Sequence, residues 1–459
     1  MTDAPARITL DQWDARYARL RAGGLAEPSY GGPLGRHLAD GDRRLAKLRY
    51  DNSPAALRLW NFLLTEEDRL FAARQAGRKI VGVMKDLGTA AAMAMSLPNV
   101  TAFYPDGAWW IPCLMEHGSG VLEVAASLGL DDSFCPVRAM LGAFATGEHF
   151  PRPDLLVCSA GAVCDDFSAI AQLVEHLGNA ILWWEMPARR RPADGEPAVP
   201  LPAGFTAPAS QVAFVRGELD RVRKALGELA GLELDDQALA AGIARANHAR
   251  GVLDDLRFLA YSAEPCPMPA LEMLIAEMLI IHYCSDRDEA PAVLEGLLAE
   301  TRRRVDARLG VLPAGAARIF WVNPVADLRV MNLLEDCGGR LCGTELLFCH
   351  SLEPIPANLP PMEALARTAL ADPMVGAVRD RAERICAEII RFGAEAVVVS
   401  RIPGASHCAL EGGLIGGIIG GRLGLPVLEI EAPELSDSMM PTLRTRLEAI
   451  VETVKERRR

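Results

Sequence analysis

The sequence predicts an α/β protein with two parallel-sheet domains, a helical cap before the first and a helical connector between them. Two separate stretches alternate short apolar strands with segments long enough for crossover helices, as parallel strands require. The stretch between them is almost wholly helix-forming. At 459 residues the chain exceeds what one compact core accommodates, and half of its residues are apolar, enough to fill more than one.

Residues 1–75 are the expected cap: Leu10, Trp13, Tyr17 and Leu20, then Ala56, Leu57, Trp60, Leu63 and Leu64, recur at helical spacing around a Gly/Pro break at 31–35. Residues 76–200 are the first α/β domain, with strands expected at 79–84, 100–104, 154–158 and 180–184. A charged, proline-rich stretch runs from Pro187 to Pro208, and its Arg189-Arg190-Arg191 reads as a solvated loop rather than an anion site. Residues 201–310 are the connector, where acids such as Asp235 and Asp236 open segments of periodic Leu, Ala and Ile. Residues 311–459 are the second α/β domain, with strands at 318–322, 340–348, 396–400 and 427–430. An amphipathic helix from Pro441 to Arg458 closes the chain.

The net charge of -12, with both signs mixed along the chain, offers no basic face for nucleic acid or an anionic membrane. The first twenty residues lack the apolar stretch of an export signal. The long apolar runs at 270–283 and 412–428 are broken by Glu272 and Glu277 and by Arg422 and many glycines, so neither is expected to span a bilayer. A cytoplasmic location follows, and with it eleven cysteines that are thiols or metal ligands rather than disulfides. Gly412, Gly416 and Gly420, like Gly413, Gly417 and Gly421, recur every four residues and suit a helix lying close on a sheet. The chain contains neither a dinucleotide-binding glycine turn nor a P-loop, so it is not expected to hydrolyse ATP itself.

Three cysteine contexts stand out: Phe134-Cys135-Pro136-Val137-Arg138, Val163-Cys164-Asp165-Asp166 and Ser406-His407-Cys408. Their wide separation is unlike a zinc finger and resembles an iron–sulfur site held between two domains. Ligands of open α/β sheets collect beyond the C-terminal ends of the strands. All three cysteines fall there, in loops or at helix starts where N–H groups favour the thiolate that a metal needs. Cys158, six residues before Cys164, is the alternative to it. Cys337, Cys342 and Cys349 suggest a second site, but alternate strand residues face opposite ways. Cys266 and Cys284 are read as packing residues. Glu116 and His117, upstream of Cys135, are the candidate acid/base groups.

Cys135-Pro136-Val137-Arg138 with Gly142, Cys164-Asp165, Cys408 followed by Gly424-Leu425-Pro426-Val427, and Thr445-Arg446-Leu447-Glu448-Ala449 together resemble the 2-hydroxyacyl-CoA dehydratase and benzoyl-CoA reductase subunit family over about residues 78–455. The resemblance implies two Rossmann-like domains with a [4Fe-4S] cluster between them, held by Cys135, Cys164 and Cys408. It also implies a CoA-thioester substrate, a related second subunit in a heterodimer or homodimer, and an ATP-dependent iron–sulfur activator protein. The implied chemistry is one-electron reduction to a ketyl radical followed by loss of water, or entry of the electron into an aromatic ring. Alternatives are a double-cubane reductase of small molecules, a non-catalytic scaffold or thioester-binding subunit, and a zinc protein using Cys135, Cys164 and a histidine.

Overall fold

The computed structural model describes residues 4–38, 43–84, 88–106, 118–282, 285–347, 352–432 and 436–459. The chain begins with β1 (Arg7–Ile8), which pairs antiparallel with β2 (Tyr50–Asp51). Between them, the helix Leu10–Ala22 starts at a capping box in which Thr9 and Gln12 exchange hydrogen bonds. The helix Pro54–Leu64 follows, opened by the Ser53 side chain on Ala56 N–H and by Pro54 in its first turn. Trp13, Trp60, Tyr50 and Phe62 are fully buried beneath these elements. The ribbon itself escaped the sequence reading, because two-residue strands carry no periodicity.

The first sheet contains β3 (Lys79–Met84), β4 (Val100–Phe103), β5 (Leu155–Gly161) and β6 (Ile181–Met186), all parallel, in the order β4-β3-β5-β6. A short antiparallel ribbon, β7 (Ala198–Pro200) with β8 (Thr206–Pro208), interrupts the proline-rich stretch. The connector helices are Ala209–Ala230, Asp236–Ser262, Ala270–His282 and Glu289–Asp306. The second sheet contains β9 (Ala317–Val322), β10 (Gly339–Glu345), β11 (Ala396–Arg401) and β12 (Val427–Glu431), again parallel, in the order β10-β9-β11-β12.

Both sheets therefore have the same strand order, second-first-third-fourth by sequence. The fold is α/β with two Rossmann-like parallel sheets. The expected strands fall within a few residues of the observed ones because most carry Val, Ile and Phe runs buried on both faces, as in β9 and β11. β6 and β12, at one edge of each sheet, are less buried, with Glu185 and Glu431 exposed on them, whereas β4 and β10 at the opposite edges are buried throughout.

The expectation of a solvated loop holds for Arg190 and Arg191, which are exposed, and is corrected at Arg189. Arg189 is buried and donates to the carbonyls of Leu370 (2.7 Å) and Asp372 (3.2 Å) and to Asp380 (3.0 Å). It straps the chain leaving the first sheet to the second half of the molecule. Arg250 in the connector does related work, donating to Gly88 O at 3.1 Å and Glu353 O at 2.7 Å. One hydrophobic core runs continuously from the cap through the connector to both sheets.

In the helix Gly412–Leu423, Gly412 and Gly416 lie on the second sheet, where added β-carbons would sit 3.1 Å from Val399 Cγ1 and 3.2 Å from Val427 Cγ1. The second glycine row turns away, and β-carbons at Gly417 and Gly421 would meet nothing within 4 Å.

Candidate metal centre

The C-terminal ends of the two sheets face a common pocket of about 90 Å³. From the first half it is lined by Asp106, Cys135, Val137, Cys164, Asp166 and Phe167. From the second come Pro324, Leu346, Leu347, Met374, Ile402 and Ala405 to Cys408. Each cysteine arrives by its own route.

Cys135 stands immediately before a 3₁₀ turn, Pro136–Arg138, that leads into the helix Ala139–Thr146. Its loop is fastened locally. Asp131 accepts from Ser133 N–H (3.0 Å) and hydroxyl (2.6 Å). The Arg138 guanidinium reaches back to Phe134 O at 2.8 Å and Asp132 at 2.6 Å. This gives the Cys-x-x-Arg spacing a physical reason: the arginine clamps the loop that presents the thiol. Gly142 lets the same helix lie directly against the backbone of Val121 in the helix Gly118–Ser127, a place with no room for a β-carbon.

Cys164 is the N-cap of the helix Asp165–His176, just beyond β5. Gly161 makes the exit turn at φ +99°, where its α-carbon abuts Met186 O, and Ala162 N–H bonds that same carbonyl at 2.8 Å. Cys408 lies within the short helix Ser406–Leu410, beyond β11. β5 and β11 are each the third strand of their sheet, so Cys164 and Cys408 occupy corresponding positions in the two halves.

The loop before Cys408 is held from both sides. Gly404, at φ +81°, lies against the Ser133–Phe134 backbone, and an added β-carbon would sit 2.7 Å from the Phe134 carbonyl carbon. Beneath it, Asn323 at the end of β9 donates to Ser400 O (2.8 Å) and Cys408 O (3.4 Å). Its own oxygen accepts from the buried Arg381 at 2.6 Å, which also pairs with Glu345 (2.5 Å) and Glu411 (2.6 Å). The Asn323 network escaped the sequence reading, because its members are scattered over almost ninety residues. The positive φ of Asn323, +72°, had no visible sequence signal beyond asparagine itself.

Across the pocket, Asp166 Oδ2 accepts from Cys164 Sγ (3.7 Å), Ser406 N–H (3.2 Å) and Ser406 Oγ (3.4 Å). Ser406 Oγ is 3.9 Å from Cys164 Sγ and 3.4 Å from His407 Nδ1. Burial pushes the Cys135 thiol well above the ordinary cysteine range, and the charges of Asp166, Cys408 and Cys164 add to that against the Val137 N–H. Burial likewise raises the Asp166 carboxyl. Ionising three thiols beside a carboxylate in one apolar pocket would be costly, and a soft cation would relieve that cost. Thiolate sulfur is the ligand type that iron–sulfur clusters take.

A single zinc ion would draw its thiolates to about 4 Å of one another, given Zn–S bonds near 2.3 Å. Among the described residues no three His, Cys, Asp or Glu are grouped closely enough to hold a metal ion. Cys158 is fully buried in β5, bonded to Ser159 O at 3.6 Å, with its thiol pushed up to about 12 by burial. It packs with Met84, Ile170 and Val174 and does not line the pocket. Cys337 and Cys342 face different partners, Arg444 O for the first and Phe392 O and Tyr261 O for the second. Cys266 is buried against Met268 O. Glu116, His117, Cys284 and Cys349 lie outside the described residues.

A family model described as 2-hydroxyglutaryl-CoA dehydratase, D-component, matches residues 100–454. The chain belongs to that family. As a D-component relative it is a dehydratase-type enzyme subunit, one part of a system that works with other components. The match spans both sheets except β3 and includes all three pocket cysteines. No curated protein matches the chain. Among the described residues, no helix of this D-component relative is long and apolar enough to cross a membrane.

Proposed function

We propose that this chain is the iron–sulfur subunit of an ATP-activator-dependent reductive enzyme acting on CoA thioesters, by 2-hydroxyacyl-CoA dehydration or benzoyl-CoA-type ring reduction. The observation that most supports this is the single apolar pocket onto which Cys135, Cys164 and Cys408 open from three separate connections. In this reading the three side chains act as thiolates and hold a [4Fe-4S] cluster. When bound, such a cluster supplies one iron without a protein ligand and a single low-potential electron for the thioester.

The chain's own residues do the remaining work. Val137, Phe167, Leu346, Leu347, Met374 and Ile402 exclude water from the pocket, which strengthens every electrostatic contact inside it. Ser406 and His407 present a hydroxyl and an imidazole to the same space, next to Cys164 and Asp166. Glu116 and His117 are the proposed proton-transfer groups. A related second subunit, or a second copy of this chain, completes the enzyme, and an ATP-dependent iron–sulfur activator supplies the electron.

Anaerobic purification with iron and acid-labile sulfide counts tests the reading. About four irons per chain is the expected result. About eight would replace it with a double-cubane reductase, and none with a scaffold or thioester-binding subunit.

A further inference from the structure

Asp166 stands in the first turn of the helix that begins after Cys164, yet its carboxylate is directed across the pocket to the other half of the molecule. There the short helix Ser406–Leu410 starts at Ala405, a residue with no side-chain group to cap it. The Ser406 N–H would otherwise be an unmatched helix-start donor. Asp166 Oδ2 takes that N–H at 3.2 Å and the Ser406 hydroxyl at 3.4 Å; it also receives the Cys164 thiol at 3.7 Å, a bond given up when Cys164 is a thiolate, while Asp166 remains tied to Cys164 through the helix they share. Asp166 is 7 % exposed, so water competes poorly for these bonds. One oxygen thus joins the segment carrying Cys164 to the segment carrying Cys408, 240 residues apart in the chain.

We infer that Asp166 is a positioning residue: by capping the Ser406–Leu410 helix from the opposite half, it fixes Cys408 at the distance from Cys164 that the bound group requires. The carboxylate acts through the two cysteine segments and holds no metal itself. A hydrogen bond between a carboxylate and a backbone N–H in a buried place changes an equilibrium by about tenfold or more when it is lost. The capping itself is a property of the polypeptide alone, whereas its consequence for bound iron rests on the function proposed above.

The test compares the full-length wild type with Asp166→Asn and Asp166→Ala. Asparagine keeps an acceptor oxygen for Ser406 N–H and removes the charge; alanine removes both. In metal-free protein, amide hydrogen exchange over residues 402–410 should be about tenfold faster in Asp166→Ala and near wild type in Asp166→Asn. In anaerobically reconstituted protein, iron release to a ferrous chelator should follow the same order. Unchanged exchange in Asp166→Ala would overturn the inference. So would Asp166→Asn behaving like Asp166→Ala, since charge rather than capping would then be at work. Should the wild type hold no iron while the exchange rates follow the expected order, the proposed function fails and the inter-half cap stands.

Discussion

Cys135 and Cys408 line the same pocket, while Cys266 is bonded to Met268 O inside the connector. Replacing Cys135 or Cys408 by serine should therefore remove the visible iron–sulfur absorbance of anaerobically reconstituted protein, and Cys266→Ser should keep it, because loss of one protein ligand weakens a metal site far more than a near-isosteric packing change. Unchanged iron in both ligand variants would sink the site. The neighbouring pair separates more sharply: Cys164→Ala should lose the cluster, whereas Cys158→Ala should keep it and cost about 1 kcal/mol in urea unfolding. The reverse pattern would exchange their roles. The cysteine contexts were readable in the sequence because each is built locally, with Arg138 bonding Phe134 only four residues away. Asp166 and Asn323 gave no such signal. Their decisive partners, Ser406 and Ser400, lie 240 and 77 residues distant, so no short spacing announces them.

Among the secondary-structure elements, the loop after β11 has the least tolerance. Gly404→Ala would force a β-carbon against the Phe134 carbonyl at a backbone φ of +81°. The expected cost is about 1–3 kcal/mol in denaturant unfolding, with faster iron loss as Cys408 moves from Cys135. Gly417→Ala, on the open row of the helix Gly412–Leu423, should instead stabilise by about 0.5–1 kcal/mol. Equal effects from the two substitutions would contradict the packing described here. The seam where the connector packs on the cap carries a pH dependence of its own. Glu272, fully buried in the helix Ala270–His282, accepts from Asp51 N–H (2.9 Å) and Trp60 Nε1–H (3.1 Å), and its other oxygen has no hydrogen-bond partner among the described residues. Burial raises its carboxyl above the ordinary 4.5, with Asp51 and Glu335 adding to the shift. Glu335, paired with Arg7 at 3.1 Å, is pushed up to about 7 by burial. The Arg304 guanidinium balances Asp51 at 2.6 and 2.8 Å. Above about pH 4.5 the unfolded chain has released protons that Glu272 and Glu335 still hold in the folded protein, so this contribution falls as the pH rises toward the folded values. Stability measured between about pH 5 and pH 9 should decline less in Glu272→Gln than in wild type, and an identical decline would assign it elsewhere.

At the scale of the whole molecule, alternation of strand and helix was enough to reveal two parallel sheets, because most of the buried strands are runs of apolar residues. It was not enough to reveal that the sheets share one strand order or that their ends meet, since both depend on contacts between distant segments. The same limit applies to Arg189, whose sequence neighbours are exposed arginines. Purified alone, the chain should neither hydrolyse ATP nor turn over an acyl-CoA; turnover should appear only when a second subunit and an ATP-dependent activator are added. ATP hydrolysis by the chain in a preparation free of activator would place the energy input elsewhere. The division of the pocket between the two halves has a consequence for biosynthesis. Cys408 is the 408th of 459 residues, so most of the chain must leave the ribosome before the third wall exists. Domains fold in order as they emerge. Until the last strands arrive, Cys135 and Cys164 lack the second-half residues that line the pocket with them, Cys408 among these. On the function proposed above, cluster loading belongs after translation, and the nascent chain is the form most in need of a reducing environment.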